Sequence, residues 1–63
     1  MPQITLKAAR VNARLTQSEV ADKLNISVGT LKNWESGKTF PKQPHIEALC
    51  ELYNVSYDNL SFF

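Results

Sequence analysis

The 63-residue sequence predicts an all-α fold of five short, compactly packed helices, on three observations. Apolar residues recur at i, i+3, i+4 and i+7, the spacing that lines one face of a helix. Between these runs stand residues that start helices (Thr16, Ser27, Pro44, Ser56) and residues that stop them (Asn25, Gly37, Asn54). Apolar and polar residues never alternate for more than a few positions, so no strand is expected.

The first helix is expected from about Ile4 or Thr5 to Ala13, with Leu6, Ala9, Arg10 and Ala13 on one face. Asn12 to Leu15 reads as a bend. Thr16-Gln17-Ser18-Glu19 is a capping box: Thr16 caps the second helix and Glu19 reaches back to it. Val20, Ala21 and Leu24 form that helix's apolar face, and Asn25 suits a left-handed exit. Ser27 caps a third helix that turns Leu31 and Trp34 inward and ends at Ser36-Gly37. Lys38 to Gln43 is a loop. Pro44 belongs in the first turn of a fourth helix, where its missing N–H costs nothing. Ile46, Leu49, Cys50 and Tyr53 line that helix, Asn54 ends it, and Ser56 caps a short fifth helix through about Leu60.

Length and composition bound the function. The chain is expected to be a single domain over residues 1–63. At 43% hydrophobic and 21% charged it reads as globular. No apolar run reaches the roughly 20 residues of a membrane span, and Met1 to Thr5 do not read as a signal peptide. Cys50 has no second cysteine to pair with, which points to a reducing, cytoplasmic setting. His45 lacks a second ligand or a nucleophile beside it, so neither a metal site nor catalysis is expected. The charges are segregated. Residues 1–42 carry seven basic and three acidic side chains, a net +4, while residues 43–63 carry three acidic and no basic ones, a net −3. The first two thirds are therefore suited to face a polyanion.

The informative stretch lies between Gln17 and Glu35. Two helices joined by a turn of about three residues must cross steeply. Ala21 stands where they pass closest. With Val20, Leu24, Ile26, Leu31 and Trp34 in the wedge between them, Val28, Gly29, Lys32 and Asn33 form an outward stripe on the third helix. The run from Leu15-Thr16-Gln17 through Val20-Ala21, followed by Trp34-Glu35-Ser36-Gly37-Lys38, strongly resembles the phage repressor and Cro class of helix-turn-helix proteins, the XRE-like family. The resemblance covers nearly the whole chain. It departs in having Asn25 where the turn usually has glycine, and Val28 and Gly29 where the third helix usually opens with polar residues.

The resemblance implies a sequence-specific transcriptional regulator, a repressor or Cro-like protein, whose third helix enters the major groove of double-stranded DNA. Base contacts are then expected from Ser27, Val28, Gly29, Lys32 and Asn33. Backbone contacts are expected from Gln17, Ser36, Gly37, Lys38, Thr39 and Lys42. Arg10 and Glu35 match positions that often pair in the family, and such a pair would tie the first helix to the third. The chain is expected to be no enzyme and to need no cofactor or metal. A weak homodimer on a palindromic operator is expected, with Tyr57, Leu60, Phe62 and Phe63 at its interface, since exposed terminal phenylalanines ask for cover. The rival reading is a protein-binding module such as an antitoxin, using the acidic half with Tyr57, Phe62 and Phe63.

Overall fold

Three of the four helices begin at a residue whose hydroxyl accepts an N–H from the first turn, and all four end in a left-handed or near-helical residue that turns the chain back to the core. The computed structural model describes residues 3–62. It contains α1 (Leu6–Asn12), α2 (Gln17–Leu24), α3 (Val28–Ser36) and α4 (Gln43–Tyr53). Thr5 accepts from Ala8 N, Thr16 from Glu19 N and Ser27 from Thr30 N, each at 3.1 Å. The capping box at Thr16 is complete, because Glu19 also accepts from the Thr16 N–H at 2.9 Å. Helix α4 has Lys42 at its N-cap with no side-chain bond, and Pro44 occupies its first turn.

The exits share one bonding pattern. Leu15 N–H returns to Arg10 C=O, Ile26 to Ala21, Lys38 to Asn33 and Val55 to Cys50, at 2.9–3.2 Å. These are the long bonds of Schellman motifs, which need a left-handed residue just before the donor. Asn25 (φ 56°), Gly37 (φ 80°) and Asn54 (φ 55°) supply it, as their types lead one to expect. The fourth is Arg14 (φ 60°), which carries no such preference and adopts the conformation at a steric cost. The apolar residues that follow Arg14, Asn25 and Asn54, namely Leu15, Ile26 and Val55, all pack against the core.

That core draws on every helix. Leu6 and Ala9 come from α1, Val20 from α2, Leu31 and Trp34 from α3, and Leu49 and Tyr53 from α4. Val20, Leu31 and Leu49 are fully buried. Truncating one such leucine to alanine typically costs about 2–5 kcal/mol, a large share of what so short a chain can hold.

Two expectations fail near the ends of the chain. The fifth helix is a single 3-10 turn over Tyr57–Asn59. It is closed by Asn59 N–H to Ser56 C=O at 3.0 Å, and the Ser56 hydroxyl makes no capping bond. The chain cannot continue as a helix because Leu60 is extended (φ −87°, ψ 135°) and its side chain is drawn into the core. There is also a strand pair where none was expected: β1 (Ile4–Thr5) runs parallel to β2 (Leu60–Ser61), with Ile4 opposite Leu60 and Thr5 opposite Ser61. Two residues are too few for alternation to register in a sequence. Pairing takes Ile4 and Thr5 out of the first helix, which begins at Leu6.

Candidate nucleic-acid interface

The geometry of α2 and α3 follows from the turn between them. Asn25 in the left-handed region reverses the chain, and Ser27 starts α3 two residues later. Ala21 is 3% exposed.

A part-buried network locks α3 to the other two helices. Arg10 Nε donates to Glu35 Oε2 at 2.7 Å, and the two side chains are 11% and 5% exposed. A second Arg10 nitrogen lies 3.4 Å from Glu35 Oε1, and a third donates to the Leu15 carbonyl at 2.9 Å. Gln17 Nε2 donates to Glu35 Oε1 at 3.0 Å. Glu35 thus gathers α1, the start of α2 and the end of α3 onto one carboxylate. Charge-assisted bonds of this kind are short and directional, so they fix orientation as well as contributing stability. Gln17 is held by this network, which uses one of the two N–H donors of its side-chain amide.

With Leu31 and Trp34 buried, Gly29 and Lys32 are exposed, and Val28 and Asn33 are partly so. The Asn33 amide has no partner among the described residues. A Cβ built on Gly29 meets only Ser27 Oγ, at 3.8 Å, so the space here would admit a side chain. The Ser27 hydroxyl is engaged by Thr30, through its N–H at 3.1 Å and its hydroxyl at 2.9 Å.

Beyond α3, Lys38, Thr39 and Lys42 are exposed. The Lys38 and Thr39 N–H groups fold back onto the Asn33 carbonyl at 3.0 and 3.3 Å, and the Ser36 hydroxyl donates to the same oxygen at 3.1 Å. What this loop offers outward is therefore its lysine ammonium groups and the Thr39 hydroxyl. Trp34 is 5% exposed and stacks at a tilt on His45, with ring centroids 5.2 Å apart, which seats α4 against α3.

Packing also brings in a residue that sequence reasoning missed. Lys7, on the solvent side of α1, lines a shallow cleft with Gln17, Lys32, Glu35 and Ser36. Its only signal in the sequence is membership of the basic two thirds.

The residues expected at a subunit interface separate. Leu60 is 4% exposed and belongs to the core, so its side chain is not available to a partner. Tyr57 is 57% exposed, and its ring lies 6.3 Å from that of the half-buried Phe62. Phe63 lies outside the described residues. Tyr57 and Phe62 share an uncharged apolar patch with Phe40, Pro41 and Ile46.

Three groups titrate away from their ordinary values. The Thr16 backbone N–H, followed by its side chain, holds the exposed Glu19 carboxyl down. Burial, then the Glu47 charge, pushes the Cys50 thiol up, which disfavours the reactive thiolate. Burial, then the Glu35 charge, pushes Tyr53 up to about 12. Its hydroxyl is buried without a hydrogen-bond partner among the described residues. Among those residues no cluster of His, Cys, Asp and Glu is suited to a metal ion, and no helix is long and apolar enough to cross a membrane.

Two helices joined by a short turn at Asn25, with the second locked to α1 through Glu35 and carrying an outward stripe, form a helix-turn-helix. The chain belongs to the helix-turn-helix family of the XRE type, whose family description, Helix-turn-helix, matches residues 6–60. It is 46% identical over 55 residues to the HTH-type transcriptional regulator ImmR of Bacillus subtilis, covering 87% of this chain and 43% of that protein. It is 31% identical over 55 residues to the HTH-type transcriptional activator BcrR of Enterococcus faecalis, covering 87% of this chain and 27% of that protein. The chain thus spans less than half the length of either relative. No solved structure gives a significant match.

Proposed function

We propose that this chain is a single DNA-binding domain that recognises a specific duplex site by laying α3 in the major groove. The observation that carries the reading is the outward stripe of α3: the Asn33 amide is unpaired among the described residues and stands beside exposed Gly29 and Lys32, while Leu31 and Trp34 on the other face are core. A bidentate contact from Asn33 to an adenine edge fits such a donor and acceptor pair. Val28 offers an apolar surface to a thymine methyl group, and the bare Gly29 admits close approach of the groove wall. Ser27 contributes less, because its hydroxyl caps α3. Gln17, Lys38, Thr39 and Lys42 position the phosphate backbone, with Lys38 and Lys42 supplying charge; Ser36 and Gly37 contribute less, because the Ser36 hydroxyl and the Gly37 N–H are bonded within α3.

The uncharged patch of Phe40, Pro41, Ile46, Tyr57 and Phe62 serves as a weak two-fold contact on a palindromic site, setting two copies of α3 about 34 Å apart. The five residues that line this patch carry no charge, and Glu47 and Glu51 lie at its edge, in an adjoining cleft that shares Ile46 and Tyr57. Repression, by occupying a site that overlaps a promoter, is the mode proposed.

The test begins with selection of bound duplexes from a random pool. Asn33→Ala is then compared with Lys38→Ala on the selected site and on random duplex at two salt concentrations. Loss of a base contact costs about 1–3 kcal/mol of discrimination. Asn33→Ala should narrow the ratio of the two affinities, and Lys38→Ala should lower both while preserving that ratio. Equal losses for Asn33→Ala on the two duplexes would show that α3 does not read bases through this residue.

A further inference from the structure

We propose that the cleft between α1 and α3 is a phosphate-binding site for the DNA backbone, with Lys7 and Lys32 as its two cations. The inference rests on the DNA-binding reading above and changes the role of Lys32 from base reader to backbone clamp. The cleft is shallow, about 250 Å3, and is lined by Lys7, Gln17, Lys32, Glu35 and Ser36. Glu35, the sole acid in its lining, is matched by Arg10 at 2.7 Å and also receives Gln17 Nε2 at 3.0 Å. Neither lysine has an ion-pair partner among the described residues, and both are exposed. Counting Arg10 with the lining groups, the site carries three positive charges against one negative.

Two ammonium groups bordering one cleft repel each other, and an anion between them converts that repulsion into two attractions. A phosphodiester carries one negative charge and presents two oxygens, enough to receive both lysines. The cleft is too open to enclose a base, so it selects for charge and not for sequence. Lys32 and Asn33 are adjacent on α3 and so differ in direction by about 100°. A lysine bordering this cleft with the first residue of α2 is directed away from the stripe centred on Asn33. Base reading then falls to Asn33, Val28 and Gly29, and the clamp to Lys7 and Lys32.

The experiment measures duplex affinity against salt for the wild-type chain, Lys7→Ala, Lys32→Ala and the double variant, on the selected site and on random-sequence duplex. Melting temperatures are followed to show that these exposed substitutions leave the fold intact, and Lys7→Gln and Lys32→Gln serve as polar controls. Each alanine variant is expected to weaken both duplexes by the same factor and to reduce the slope of log affinity against log salt by about one, the double variant by about two. Lys7→Ala with an unchanged slope would overturn the site, and Lys32→Ala with a narrowed specificity ratio would return that residue to the base readers. A wild-type chain without salt-dependent duplex binding fails at the first measurement. That result refutes the DNA-binding reading and the clamp with it, whereas failure of the variants alone refutes only the clamp.

Discussion

Replacing Arg10 with alanine tests the network on which the placement of α3 depends. The substitution removes two contacts to the Glu35 carboxylate and one to the Leu15 carbonyl. It leaves that carboxylate, 5% exposed, with Gln17 Nε2 as its remaining side-chain partner. Stranding one member of a buried pair costs about 3–5 kcal/mol. Arg10 itself is 11% exposed, so water reaches the edge of the pair and the lower end, about 3 kcal/mol, is expected. A chain of this length holds about 3–9 kcal/mol in all. The loss should lower the melting temperature by about 12–24 °C or leave the chain unfolded at room temperature. Urea unfolding followed by fluorescence of Trp34, the only tryptophan, reads it directly. The double variant Arg10→Met with Glu35→Leu should recover most of the stability, since a matched apolar pair often replaces a buried ion pair without loss. DNA affinity should stay low in that variant, because Gln17 has lost the carboxylate that holds it. A change below about 1 kcal/mol for Arg10→Ala would refute the reasoning, since an exposed pair would behave that way.

Two further outcomes follow from single residues. Arg14→Gly should stabilise the fold by up to about 1.5 kcal/mol, because glycine relieves a left-handed strain of about 1–2 kcal/mol at a backbone-entropy cost of about 0.5–1 kcal/mol; a lower urea midpoint would show that the strain at φ 60° is smaller than that entropy cost. Tyr53→Phe should stabilise by about 1 kcal/mol by removing an unpaired buried hydroxyl. It should also alter the alkaline limit. Tyr53 has its pKa raised from 10.0 to about 12 on folding, so its contribution is fully present below pH 10 and is lost as pH rises towards 12. The wild type should therefore lose stability over that window faster than Tyr53→Phe, and identical pH profiles would place the Tyr53 hydroxyl in water.

What could be read from the sequence was local. The capping box at Thr16, the Ser27 cap, the exits at Asn25, Gly37 and Asn54, and Pro44 in its first turn each depend on residues within one helical turn of one another. The inward set of Val20, Ala21, Leu31 and Trp34 follows from helical period alone, and with it the outward stripe of α3. Tertiary structure decided the rest. Arg14 takes the left-handed conformation because Leu15 must reach the core, and nothing in an arginine announces that. The fifth helix is reduced to one turn because burying Leu60 and pairing it with Ile4 outweigh the weak preference of a few residues for helix. Leu60 is core for the same reason, although its place near the end of the chain suggested an interface. Lys7 and Lys32 border one cleft because α1 packs across α3. Caps and periods act between neighbours in the chain, whereas a cleft between helices depends on where packing sets their axes.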